Sequence, residues 1–264
     1  GLSVRVLDVD ALYRHYSGGI VDPDAIRRAI VDAYARLDTR YVLLVGGDTY
    51  DYYNLTGANS LSLIPTYYRP TDAIIRFGAA DSVYADPSGD GYSDVALGRF
   101  PVRTRAELDA IVAKTLNYAQ AGHARKLLLQ ADRADPLDYD QQLGALSAQF
   151  GQGWSTTTLS LDDHATGTAG TQAARGQLAG AVNSGQALMA YLGHSAPDRW
   201  TQSGLLSAAD VYGGFFNNPN KPTVLWNLGC YGAYFTQPSY NTIAHAMMLQ
   251  GNGGAAAVLG ASGL

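Results

Sequence analysis

A layered α/β fold around a mostly parallel sheet is what the sequence predicts, on three observations. Short apolar runs alternate along the chain with amphipathic stretches at helical spacing, which is the pattern of successive strand–helix units. Several of the apolar runs are continuous, Tyr41–Val45 most clearly, as in strands covered on both faces. The composition can fill such a core: 264 residues, 47% hydrophobic and 16% charged, describe a globular chain rather than a disordered one. That length corresponds to one large domain or two closely packed ones.

Taken in order, residues 4–9 read as a first strand. Asp22 followed by Pro23 reads as an N-cap with Pro at the first helical position, and Ile26, Ile30, Ala33 and Leu37 follow at helical spacing. Tyr41–Val45 is a strand that runs into Gly46, Gly47 and Asp48. Residues 49–92 form a long stretch rich in Tyr, Pro, Gly and Asp, a length that is uncommon in a compact domain unless it carries a function. Its cluster Tyr50, Tyr52, Tyr53, Tyr67 and Tyr68 reads chiefly as aromatic packing of the loop on its own domain. Residues 94–98 form a short strand. Thr104 with Glu107 fits a capping box, opening a helix with Leu108, Ile111, Val112 and Leu116 on one face. A soft boundary follows near 121–125, at Ala121 and Gly122. Beyond it, strands at Lys126–Ala131, 155–159, 187–192, Thr223–Leu228 and Ala255–Gly260 alternate with helices at 139–150, 171–183, 208–215 and 242–249, as right-handed parallel crossovers require.

The same reading excludes several functions. With 18 Lys+Arg against 23 Asp+Glu, the net charge is −5. With no basic block, the chain is a poor partner for nucleic acid. No apolar run reaches the roughly 18–20 residues that span a bilayer. Cys230 is the one cysteine, so neither an internal disulfide nor a four-cysteine zinc site can form. Gly46 and Gly47 follow a strand, but the chain has no Gly-x-Gly-x-x-Gly or Gly-Lys-Ser/Thr for a nucleotide. It likewise lacks the His-Glu-x-x-His of a zinc peptidase and the Gly-x-Ser-x-Gly of a serine hydrolase. No signal-peptide pattern opens the chain, which reads as a mature or excised segment.

In an open parallel sheet, ligands bind beyond the carboxyl ends of the strands. Three such ends carry reactive groups here: Asp132 after Lys126–Ala131, His194 and Ser195 after 187–192, and Cys230 after Thr223–Leu228. A thiol, an imidazole and a carboxylate at one sheet edge make the set that cysteine nucleophilic catalysis needs. Each residue alone has a blander reading. A strand-end cysteine is commonly a small buried hydrophobe, and a strand-end aspartate is commonly a cap or turn residue. The coincidence of all three raises the catalytic reading to stand level with the bland one. His15, His123, His164 and His245 lack such a setting.

Four segments resemble the gingipain-like cysteine peptidases of family C25: Tyr41 to Asp48 (YVLLVGGD), Asp94 to Arg103 (DVALGRFPVR), Tyr191 to Ser195 (YLGHS) and Trp226 to Gly232 (WNLGCYG). The strand at 253–263 completes a match over nearly the whole chain. The resemblance implies a caspase-like α/β/α sandwich with a mostly parallel sheet and two side-by-side subdomains. These would be an N-terminal α/β subdomain over 1–121 and a catalytic subdomain over 122–264. It implies a cysteine endopeptidase with Cys230 as nucleophile and His194 as proton shuttle, Asp132 supporting the histidine, and an oxyanion hole of the Cys230 and Ser195 N–H groups. Asp140 would read a basic substrate side chain, as in arginine-specific members. Ser195 departs from the family's usual Gly-His-Gly and narrows the site. The resemblance also implies a secreted or cell-surface peptide- or protein-cleaving domain of a larger multidomain protein.

The loop from Asp86 to Asp94 places oxygen donors Asp86, Ser88, Asp90 and Asp94 at positions 1, 3, 5 and 9, with Gly91 at 6. This is the opening of a calcium loop, lacking the position-12 glutamate where Leu97 stands. A structural Ca²⁺ is therefore one expectation, and a plain Asp/Gly turn the other. For the chain as a whole, two readings stand beside the peptidase. One is a non-catalytic descendant acting in binding or secretion; the other is an intracellular caspase-fold hydrolase activated by a partner.

Overall fold

In a computed structural model, residues 2–71, 73–251 and 253–263 are described. The chain divides into two compact units, Gly1–Arg103 and Thr104–Leu264.

The first unit begins with a correction. Residues 2–7 form no strand among the described residues, and Val4 and Val6 are exposed. Asp8 instead caps a helix, α1 (Val9–Tyr16), its side chain accepting from Ala11 N at 2.9 Å. That bond satisfies an orphan helical N–H, which no strand partner offsets here. Helix α2 (Pro23–Leu37) starts as expected, with Asp22 accepting from Asp24 N and Pro23 in the first turn. Next come β1 (Tyr41–Val45), β2 (Tyr68–Arg69), β3 (Gly78–Ala79), α3 (Ser82–Ala85) and β4 (Ala96–Phe100). Among the described residues β1 pairs in parallel with β4 alone, and of its five residues only Leu44 is buried. The continuous apolar run thus does not mark a strand covered on both faces. Leu44 packs with Tyr13, Ala25, Ile26, Ile30 and Tyr84.

The long loop after β1 is organised by two buried carboxylates. Asp48 accepts from Thr66 N at 2.9 Å and from the hydroxyls of Tyr52 and Tyr68. Asp51 accepts from Leu55 N, Thr56 N and Thr56 Oγ1. Two tyrosines of the cluster thus tie the loop to its own unit, while Tyr53 remains exposed.

The second unit contains α4 (Arg105–Gln120), β5 (Lys126–Ala131), α5 (Tyr139–Ser147), β6 (Ser155–Ser160), α6 (Thr168–Asn183), β7 (Leu188–Leu192), the short strands β8 (Ser195–Ala196), β9 (Arg199–Trp200) and β10 (Leu206–Ser207), α7 (Ala208–Tyr212), β11 (Thr223–Leu228), α8 (Ile243–Leu249) and β12 (Ala255–Gly260). The boundary expected near 121 falls instead at 103/104, because α4 belongs to this unit. Thr104 caps it through Glu107 N, and its buried side chains are Ile111 and Lys114 rather than Val112 or Leu116, which are exposed. Lys114 Nζ donates to the carbonyl of Met247 on α8 at 2.7 Å. Burial without an opposing charge pulls this ammonium down to about 7.

Strands β12-β11-β7-β5-β6 form one sheet, parallel throughout. Alternate residues of β5 serve opposite cores. Leu128 joins Met189, Tyr191, Leu178, Val211 and Met247 on one face. Leu127, Leu129 and Ala131 join Tyr139 and Leu143 of α5 on the other. Here the continuous run does mark a strand buried on both sides. Because β6 and β7 flank β5 on opposite sides, the strand order reverses at β5, and the crevice beyond its carboxyl end is where such sheets bind ligands.

The three-stranded ribbon β10-β9-β8 follows β7 directly. It is fixed by the Trp200 ring stacked on Tyr191, with centroids 4.2 Å apart. Arg175 of α6 holds the far side, bonding the carbonyls of Gly204 and Leu205 and both carboxylate oxygens of Asp210. Asp210 also closes a capping box with Ser207. Arg175 beside it holds this carboxyl down at about 2, from 3.8. A carboxyl lowered in the folded state contributes stability above 3.8 that is lost as pH falls through 3.8 toward 2. Asp210→Asn should therefore cost about 2 kcal/mol at pH 7, a difference that shrinks through that acid window in urea titrations. A pH-independent difference would refute the charge-based account.

Candidate active site

Three strand ends converge at the reversal point. The β5–β7 pairing ends at Ala131 opposite Leu192, and the β7–β11 pairing at Leu192 opposite Leu228. Asp132, Gly193 and Gly229 are thus the next residue along three adjacent strands, about 4.8 Å apart, and His194 and Cys230 follow one step later. Asp132 N donates to the Leu192 carbonyl at 2.9 Å, carrying the ladder one residue past the strand.

The main chain of His194 is held on every side. Its N–H donates to Asp132 Oδ2 at 3.0 Å. Its carbonyl accepts from Tyr191 Oη at 2.6 Å and from Thr201 N at 2.9 Å. Glycine is required just before it, because a Cβ on Gly193 would lie 2.1 Å from Asp132 Cβ. The Asp132 carboxylate accepts from the backbone of Arg133 and of His194. Burial pushes its carboxyl above the usual range, a rise opposed by those two N–H groups and by His194.

Asp132 meets His194 through the main chain rather than through a hydrogen bond to the ring. It grips the histidine loop through the backbone, whereas the imidazole is met by other groups. Nε2 of His194 lies 3.2 Å from the Asp135 carbonyl and 3.3 Å from Tyr139 Oη. The sequence offered no signal for either contact. One is a backbone oxygen in a loop, and the other belongs to the first residue of a helix.

Cys230 is half-buried and in no disulfide. Its loop leaves β11 through Gly229 and turns at Tyr231, whose φ of 56° is left-handed. Tyr231 N donates to the Gly263 carbonyl at 2.7 Å, which removes that N–H from any role toward a ligand. Ser195 joins the two loops, its Oγ donating to the Cys230 carbonyl at 2.6 Å. A Cβ on Gly229 would lie 2.2 Å from that same Oγ, so the serine occupies space that a glycine leaves open. Since Thr201 N bonds the His194 carbonyl, antiparallel alternation makes Ser195–Trp200 a non-hydrogen-bonded pair. The Ser195 N–H then faces the open edge of β8.

Asp140 lies in the first turn of α5, and its Oδ2 accepts from Ser160 Oγ at 2.6 Å, at the end of β6. It is not tied by a hydrogen bond to the histidine or cysteine loop among the described residues.

The acidic loop does not fit a calcium ion. Both oxygens of Asp86 accept N–H groups of its own turn, from Gly89, Asp90 and Gly91. Asp94 Oδ2 accepts from Ser88 N, and Asp90 Oδ1 from Tyr92 N. These carboxylates close the hydrogen bonds of their own turn. Among the described residues, no three His, Cys, Asp or Glu side chains gather as a metal site. The Gly91 N–H and its neighbours hold the Asp86 carboxyl below its usual range. Chelation with EDTA should leave the thermal midpoint unchanged and Asp86→Ala should lower it; a fall on chelation would restore the metal.

No described helix is long and apolar enough to cross a membrane. The family model for peptidase family C25 matches residues 1–264. The crystal structure of the Arg-specific cysteine proteinase gingipain R is similar, at 22% identity and a TM-score of 0.66 over 90% of this chain and 52% of its own. A complex of the pro- and mature domains of RgpB from Porphyromonas gingivalis gives 20% and 0.68, over 92% of this chain and 55% of that one. The chain thus spans about half the length of these relatives. At these identities the likeness shows the fold, which is caspase-like. No curated protein sequence matches.

Proposed function

Because this chain belongs to peptidase family C25, we propose that it hydrolyses peptide bonds through a Cys230–His194 dyad and an acyl-enzyme. The observation that carries the proposal is the convergence of the two residues on adjacent strand ends beside the sheet's reversal point, with Ser195 bonding one loop to the other.

With Nε2 of His194 engaged by Asp135 and Tyr139, Nδ1 is the nitrogen left to take the thiol proton. The thiolate then adds to the scissile carbonyl carbon, and the carbonyl electrons move to oxygen. The N–H groups of Cys230 and Ser195 would hold that oxyanion. Collapse breaks the C–N bond, and the amine leaves with the proton from His194. Water, losing a proton to the same imidazole, hydrolyses the thioester, releasing the carboxylic acid and restoring thiolate and imidazolium. In this reading Asp132 keeps the histidine loop in place. Asp140 remains the acidic group proposed to meet a basic side chain, as the Arg specificity of the similar gingipain R would suggest. An extracytoplasmic setting belongs to the same proposal.

The test is covalent. A peptidyl chloromethyl ketone should add once per chain, with the modification at Cys230 by peptide mass spectrometry. A thiol left unmodified under conditions that label a known cysteine peptidase would favour the non-catalytic descendant.

A further inference from the structure

We propose that Tyr139 is a positioning residue for His194, its hydroxyl acting with the Asp135 carbonyl to hold Nε2 so that Nδ1 faces the thiol. The inference rests on the cysteine-peptidase reading and adds to it a residue that neither composition nor motif marks.

Tyr139 is the first residue of α5, whose N-cap Asp138 accepts from Gln141 N at 2.9 Å. Its ring is 6% exposed and packs with Leu127, Leu129, Ala131 and Leu143. The phenol is therefore carried on a rigid support. The ring meets His194 edge-on, with interplanar angle 86° and centroids 6.0 Å apart. The hydroxyl donates to the Asp135 carbonyl at 3.2 Å and lies 3.3 Å from His194 Nε2, which is itself 3.2 Å from that carbonyl.

Proton counting in this triangle assigns the tautomer. The Asp135 carbonyl can only accept, so a ring nitrogen 3.2 Å from it is placed to donate. The phenol's one proton then goes to the same carbonyl. Toward the imidazole the phenol offers a lone pair. Both neighbours of Nε2 are acceptors, so Nε2 carries the hydrogen. In a neutral ring Nδ1 is then the base. When the ring becomes imidazolium, the Nε2–H is shared between two oxygens, and hydrogen bonds to a charged donor are the stronger kind. A lone carbonyl would let the ring swing about its Cβ–Cγ bond; the second acceptor, on a packed helix, restricts it. Burial raises the phenol's own titration above the usual range, helped by the negative charges of Asp132, Asp135 and Cys230. It therefore stays protonated across the working range of a cysteine peptidase.

Tyr139→Phe removes one oxygen and keeps the packed ring. The thermal midpoint should stay within about 2 °C of wild type. With a cleaved peptide, kcat should fall about tenfold with KM unchanged, the size expected for one hydrogen bond to a charged group. The rate–pH profile for iodoacetamide alkylation of Cys230 should move upward by about 0.5 in pH, because the imidazolium that favours the thiolate has lost an acceptor. Unchanged kcat and an unmoved profile would overturn the proposal. So would a fall in kcat that tracks a lowered thermal midpoint while the profile stays in place, since that is the signature of packing alone. If the wild-type chain alkylates with a clear pH dependence but cleaves no peptide, the peptidase reading fails, and the alkylation profiles still decide the role of Tyr139.

Discussion

Cys230→Ala should abolish peptide cleavage and chloromethyl ketone labelling while leaving the fold in place. In the proposed mechanism alanine removes the one atom that would bond to the substrate carbonyl, and losing the nucleophile of such a unit costs about 10⁴-fold or more. The loop itself has little reason to move. Its ties are made by the backbone: the Cys230 carbonyl still accepts from Ser195 Oγ, and Tyr231 N still donates to Gly263. The thermal midpoint should change by only a few degrees, and kcat/KM by the full factor. A variant that cleaves as fast as wild type removes Cys230 from the mechanism, and residual cleavage in both would point to a contaminating peptidase.

The second large effect is expected from a single methyl group. Gly193→Ala places a Cβ 2.1 Å from Asp132 Cβ, 2.9 Å from Tyr191 Oη and 3.0 Å from Asp132 Cγ. None of these atoms can yield cheaply. Asp132 is held by two backbone N–H groups, and Tyr191 is stacked on Trp200 with its hydroxyl on the His194 carbonyl. The variant should lose about 2–4 kcal/mol of stability by overpacking. The histidine it displaces should cost cleavage at least about 100-fold even where the protein remains folded, because small misplacements at a reacting centre have effects of that size. Urea titration and kcat/KM below the melting range read the two separately. Wild-type stability would mean that the loop relaxes freely, and the fixed-backbone account of His194 would fall.

Much of the fold was legible in the sequence where its signals are local. Lys126–Ala131 and Thr223–Leu228 are strands with the bounds that their apolar runs mark, and Asp22 with Pro23 opens α2 as its chemistry dictates. Where the sequence misleads, a competing interaction wins. Val4 and Val6 look like a strand, but no described strand pairs with them, and the Asp8 cap commits the chain to helix from Val9. Leu116 carries the helical apolar pattern yet is exposed, while Lys114 is buried because a carbonyl on α8 accepts its ammonium. The regular spacing of Asp86, Ser88, Asp90 and Asp94 has the form of an ion loop, but the carboxylates bond the backbone of their own turn and no three gather among the described residues.

The residue types at three strand ends, and their place in the order of a parallel sheet, were set by the sequence alone. Apolar periodicity and the glycines around Cys230 and His194 are written along the chain. Which groups touch the imidazole was decided only by tertiary structure, since a backbone carbonyl at Asp135 and a helix-opening Tyr139 leave no mark in composition or spacing. The same holds for Asp132, whose carboxylate could reach either a ring or a main-chain N–H. The geometry of the β5–β7 crevice gave it the latter, with the His194 N–H donating to Asp132 Oδ2 at 3.0 Å.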